Sequence, residues 1–193
     1  MCKWIQSLAR RVLLWFLPGG QVAQFENVRI SDLSKGEPEF KTMMLAAFQL
    51  LKDMDPRRFV RANRHLKWVA NIALGGGAVY RDDMQACVID FKKPESDADI
   101  PFHVAWYASV LVHAATHAAV AARKIPYSRK FRVRIERLCV TEQNRFARRF
   151  EFTEPDIAEY LHREVDETEW ERYWETSTGR VLAFLRRVFK KKV

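Results

Sequence analysis

The run from Ile100 to Arg123 constrains this chain more than any other stretch. It carries Ala105, Ala108, Ala114, Ala115, Ala118, Ala119, Ala121 and Ala122. Alanine is the strongest helix former, and Ile100-Pro101 puts proline where a first helical turn tolerates it. A helix clothed mainly in methyl groups is thin and apolar, so it belongs in an interior where neighbouring helices approach closely. The same helix carries His113 and His117, four residues apart and therefore on one face. Two imidazoles so placed can reach a single metal ion.

The other segments give a mixed, mostly helical chain. Phe40, Met43, Met44, Ala47, Leu50 and Leu51 recur at helical spacing. Asp55-Pro56 supplies an N-cap and first turn for a second helix, expected to run to about Leu74. Gly75-Gly76-Gly77 breaks that pattern. It lacks the Lys-Ser/Thr ending of a phosphate loop and reads as a turn. Ala78-Val79-Tyr80 and Ala86 to Phe91 read as strands of a hairpin around Arg81 to Gln85. A helix from Arg129 to about Arg149 follows Ser128, and Thr153-Glu154-Pro155-Asp156 signals a short one. A further helix is expected near Glu167. The expected class is α+β: a mostly α-helical domain with a small β-sheet or hairpin preceding the alanine-rich helix.

With 193 residues and 48% hydrophobic content, the chain suits one domain, here 21–179, flanked by basic ends at 1–20 and 180–193. Lys3, Arg10 and Arg11, with Arg180, Arg186, Arg187, Lys190, Lys191 and Lys192, match the whole net charge of +9. The body is therefore neutral, and nucleic acid is not an expected partner. Trp4, Ile5, Leu8, Val12, Trp15 and Phe16 form one amphipathic stripe, closed by Pro18-Gly19-Gly20. Val181, Phe184, Leu185, Val188 and Phe189 form another. Such stripes either cover a core or lie on an anionic membrane surface. Val12 to Leu17 is too short for a signal-peptide core or a membrane span, so a cytoplasmic chain, peripheral to the inner membrane if attached at all, is expected. Cys2, Cys87 and Cys139 give no disulfide framework.

Glu136 follows His117 after eighteen intervening residues, on a separate expected helix. Val112-His113-Ala114-Ala115-Thr116-His117-Ala118 and Arg134-Ile135-Glu136-Arg137-Leu138-Cys139, with Glu142, Gln143 and Phe146, resemble the gluzincin branch of the zincin metallopeptidases. The likeness is to small bacterial members with the sequence H-E-A-T-H-A, and it spans roughly Ala86 to Phe150. It implies Zn²⁺ as cofactor, with His113, His117 and Glu136 as ligands and a fourth position open to water. It implies peptide-bond hydrolysis of a peptide or protein substrate. Zinc would lower the pKa of water toward ~7 and polarise the substrate carbonyl. The substrate would pair as an added strand with Ala86 to Phe91.

One position departs from the pattern. Ala114 stands where the family has its general-base glutamate. A methyl group neither takes a proton nor returns one to the leaving amine, a loss of ~10²–10⁴-fold or more. The expectation is therefore a zinc metallopeptidase scaffold that is catalytically inactive through Ala114. The alternatives are a natural pseudopeptidase that binds peptide or protein, and a helical module acting at a membrane surface. Glu142 is a second carboxylate, but six residues beyond Glu136 it points to a different side of the helix. Tyr127, Tyr160 and His162 are candidates to face a developing oxyanion. His103 lies nearly three turns before His113, and His65 belongs to a basic helix.

Overall fold

The computed structural model describes residues 16–34, 38–72, 77–151 and 153–164. Most of the expected N-terminal helix, the helix near Glu167 and the basic C-terminal end lie outside them. The elements run β1 (Gln21–Phe25), β2 (Val28–Asp32), α1 (Pro38–Met54), α2 (Pro56–His65), β3 (Trp68–Asn71), β4 (Ala78–Arg81), β5 (Ala86–Ile89), α3 (Ile100–Ala122), α4 (Arg132–Ala147) and α5 (Pro155–Leu161). Short 3₁₀ turns occupy Asp82–Met84 and Asp97–Asp99. The fold is α+β, with a five-stranded mixed sheet in the order β1-β2-β3-β5-β4. The two central pairings, β2 with β3 and β3 with β5, are parallel. Both outer pairings are antiparallel.

The second helix ends earlier than its sequence pattern suggests. Asp55 caps it as expected, its side chain accepting from the Arg58 N–H. The chain then turns extended at Leu66, well short of Leu74. Trp68 to Asn71 are all buried. Trp68 and Ala70 pack with Leu17, Met84 and Val88 on one side of the sheet, while Val69 joins the main core on the other. A strand covered on both faces has no alternation in its sequence, so it continues an apolar run without announcing itself.

The same logic corrects the expected edge strand. Residues 86–89 are buried, and they pair with β3 on one side and β4 on the other. The hairpin with β4 forms as expected, but Ala86 to Phe91 lies inside the sheet. Among the described strands, β4 is the free edge nearest α3.

Helix α3 is the centre of the packing. It touches α1, α2, α4 and α5, and also β4 and β5. Ala108 and Ala115 are fully buried, and Ala105, Ala114 and Ala118 nearly so. By length and composition the stretch Asp97–Ala122 could cross a membrane, but here about two-thirds of its apolar window is buried within the fold. The loop entering α3 is held by side chains. Asn71 Oδ1 accepts from the Phe91 N–H at 3.1 Å, and Tyr107 Oη accepts from the Lys92 N–H at 3.1 Å. These bonds fix where α3 begins, and hence where its histidines stand.

If small side chains set the helix spacing, enlarging one should be costly. Ala108→Leu is expected to destabilise the protein by about 1–3 kcal/mol, measured by urea unfolding. Val60→Ala, at a half-exposed position, should shift the midpoint far less.

Candidate metal centre

Helices α3 and α4 bring together the three residues singled out by spacing. His113 Nε2 and His117 Nε2 lie 3.2 Å apart. Glu136 Oε2 is 3.4 Å from His113 Nε2, and Glu136 Oε1 is 3.5 Å from His117 Nε2. Ligands held tetrahedrally at zinc's usual bond lengths are about 3.3 Å from one another. The geometry therefore fits one small tetrahedral cation.

A chain of hydrogen bonds fixes how His113 presents itself. The Ser109 hydroxyl donates to the Trp106 carbonyl at 2.8 Å, so its oxygen accepts from Gln143 Nε2 at 3.0 Å. That orients the Gln143 amide and turns Oε1 toward His113 Nδ1, 3.1 Å away. An amide oxygen only accepts, so His113 Nδ1 carries the proton in this network and Nε2 carries a lone pair. This is the tautomer a metal ligand requires, held by an outer-shell partner. Burial lowers the His113 pKa and favours the neutral ring, although Glu136 acts the other way.

The carboxylate is likewise poised. Burial raises the Glu136 pKa, but the neighbouring imidazoles of His113 and His117 and the Tyr127 hydroxyl outweigh it and hold the group well below the usual carboxylate range. The Tyr127 hydroxyl donates to Glu136 Oε1 and accepts from Arg132 Nε at 3.1 Å. Burial and the Glu136 charge raise the Tyr127 pKa, so this phenol stays protonated at neutral pH. Its ring also meets His117 edge-on at 5.5 Å. The Tyr80 ring, on edge strand β4, stacks on His117 with centroids 6.0 Å apart.

Ala114, beside this pair on α3, is 3% exposed and belongs to the apolar core. Among the oxyanion candidates, Tyr127 alone has a described contact with the histidine pair or Glu136. Tyr160 packs edge-on against Phe102, and His162 follows the end of α5. His103 lies near Tyr107, and His65 is half-buried on α2.

Glu142 goes elsewhere. Its carboxylate pairs with Arg61 at 2.7 Å, Arg145 at 2.6 Å and Arg58 at 3.3 Å. It is buried among arginines, on a different side of the helix from Glu136. Arg61 also donates to Thr116 Oγ1 on α3 at 3.3 Å.

Three contributors carried only a weak signal in the sequence. Tyr80 is one. Cys139 is another: its sulfur lies within 4.8 Å of a ligand nitrogen on each histidine. Gln143 is the third. Glu136, Cys139 and Gln143 stand at i, i+3 and i+7, so one helical stripe connects them. No protein-family model, curated protein or solved structure matches the chain.

Removing the partner that sets the His113 tautomer should weaken metal binding without removing a ligand. Gln143→Ala is expected to lower zinc affinity by about 10–100-fold, read by competition with a chromophoric chelator. Unchanged affinity would show that the Gln143 bond does not orient the ring.

Proposed function

We propose that this chain is a zincin-like zinc-binding domain of metallopeptidase type that takes up peptide but, lacking a general base at Ala114, does not hydrolyse it. The observation that carries this reading is the set of 3.2, 3.4 and 3.5 Å separations among His113, His117 and Glu136. Two neutral imidazoles and one carboxylate suit Zn²⁺ and leave a coordination position open. When bound, zinc supplies Lewis acidity, lowering the pKa of water toward ~7 and polarising a carbonyl.

The surrounding side chains have separable tasks. Gln143 fixes His113, and Tyr127 bonds Glu136 while its ring positions His117. Tyr127 is 45% exposed, so its protonated hydroxyl can also turn to a substrate oxygen. The β4 edge offers unpaired backbone groups beside His117, where an extended peptide would add as a further strand. Ala114 supplies no proton acceptor. The proton transfers of hydrolysis then have no agent at the position where the resembled peptidases keep one.

Cys139 favours a second reading. A thiolate there would occupy the fourth position and make a closed, structural site. Glu136 already stands at ligand spacing, 3.4 and 3.5 Å from the two histidine nitrogens, while the Cys139 sulfur lies within 4.8 Å of them. The open His-His-Glu set is therefore the better reading.

The test is zinc stoichiometry and proteolysis of a casein substrate for the unsubstituted chain, His113→Ala and Ala114→Glu. The expected result is one zinc per chain, lost in His113→Ala and retained in Ala114→Glu. Hydrolysis is expected to rise in Ala114→Glu by about 10²-fold or more. No zinc in the unsubstituted chain would overturn the proposal. Zinc retained in Ala114→Glu with no gain in hydrolysis would overturn its peptidase part and leave a metal-dependent binding domain.

A further inference from the structure

A second site lies further along α4, independent of the histidines. Glu142 is six residues beyond Glu136, about 9 Å along the helix axis and on another side. Here a cavity of about 550 Å³ is lined by Arg57, Arg58, Arg61, Arg145, Arg148 and Arg149. The opposing carboxylates are Glu142 and Glu151 in the lining, with buried Asp55 behind it. Six guanidinium groups against three carboxylates leave an excess of three positive charges.

The internal pairing leaves this cluster incomplete. Asp55 takes Arg58 and Arg149, and Glu142 takes Arg58, Arg61 and Arg145. Arg57 and Arg148 have no ion-pair partner among the described residues. Arg58, only 9% exposed, also has an Nε with no hydrogen-bond partner. A buried donor left unmade is unfavourable, and a charged one more so. Arg58 Nε is sealed from solvent, so an anion within the cavity would instead meet the exposed Arg57 and Arg148 guanidiniums and offset the excess charge.

The lining also limits the kind of anion. Among the described residues it contains arginine but no lysine, and arginine's planar fork matches phosphate oxygens bidentately. Among the described residues the lining contains no aromatic or aliphatic side chain against which an acyl chain or the ring of a base could pack. A single phosphate carries about −1.5 to −2, short of the charge excess, whereas two linked phosphoryl groups meet it. We infer that this arginine cavity binds a small polyphosphate anion of the pyrophosphate type, recognised through its phosphoryl oxygens alone. The inference does not rest on the zinc reading.

Isothermal titration of the full chain with sodium pyrophosphate tests it, with sulfate, ADP and a glutamate-rich peptide as comparison arms. One site is expected, at least tenfold tighter for pyrophosphate than for sulfate, with ADP no tighter than pyrophosphate. The double variant Arg57→Gln/Arg148→Gln changes two exposed side chains, so its melting temperature should hold while binding weakens at least tenfold. His113→Ala should bind pyrophosphate unchanged, which separates this site from chelation at the metal centre. Equal affinity for sulfate, or undiminished binding by the double variant, would leave only the diffuse attraction of a basic surface and overturn the assignment. Tighter binding of the acidic peptide would overturn it in favour of a protein-docking site, and tighter binding of ADP would overturn recognition by phosphate alone.

Discussion

Two imidazole nitrogens and a carboxylate meet within 3.5 Å where helix α3 crosses α4, and much of the surrounding architecture serves that meeting. A lone pair on His113 facing a carboxylate oxygen is not a contact that stabilises itself. It persists because the backbones are held in place. Alanine at the buried positions of α3 lets four other helices approach it, and Asn71 and Tyr107 pin the loop that launches it. The Ser109–Gln143–His113 chain crosses the same helix interface, so packing and ring orientation are set together.

Helix α4 carries a half-buried and a buried carboxylate with opposite fates. Glu136 faces histidines and a phenol, which suits a cation. Glu142, on another side, is neutralised by arginines from α2 and α4. Charge complementarity thus separates a cation-seeking centre from an arginine cavity with residual positive charge. Arg61 touches both sides, through Glu142 and through Thr116 on the histidine helix.

Much of this was legible in the residues. The alanine content of α3 announced a buried central helix, and the His113, His117 and Glu136 spacing found side chains that do come together. The Asp55 cap and the hairpin of β4 and β5 also followed from local signals. What stayed hidden depended on tertiary context. Trp68 to Asn71 gave no strand alternation because both faces are covered, so α2 was drawn too long. The same double burial hid the interior position of β5 and moved the free edge to β4. The environment of Glu142 depends on arginines from a helix more than seventy residues away, beyond the reach of i, i+4 pairing. Tyr80 reaches His117 only because β4 is the edge beside α3.

The central claim is an open cation site made of His113, His117 and Glu136. Zinc K-edge X-ray absorption of the full chain loaded with one equivalent of zinc reads its ligands directly. An open His113–His117–Glu136 site gives nitrogen and oxygen scatterers alone, at about 2.0–2.1 Å. A sulfur scatterer at about 2.3 Å would place Cys139 in the shell, close the site and contradict an open, peptidase-type centre.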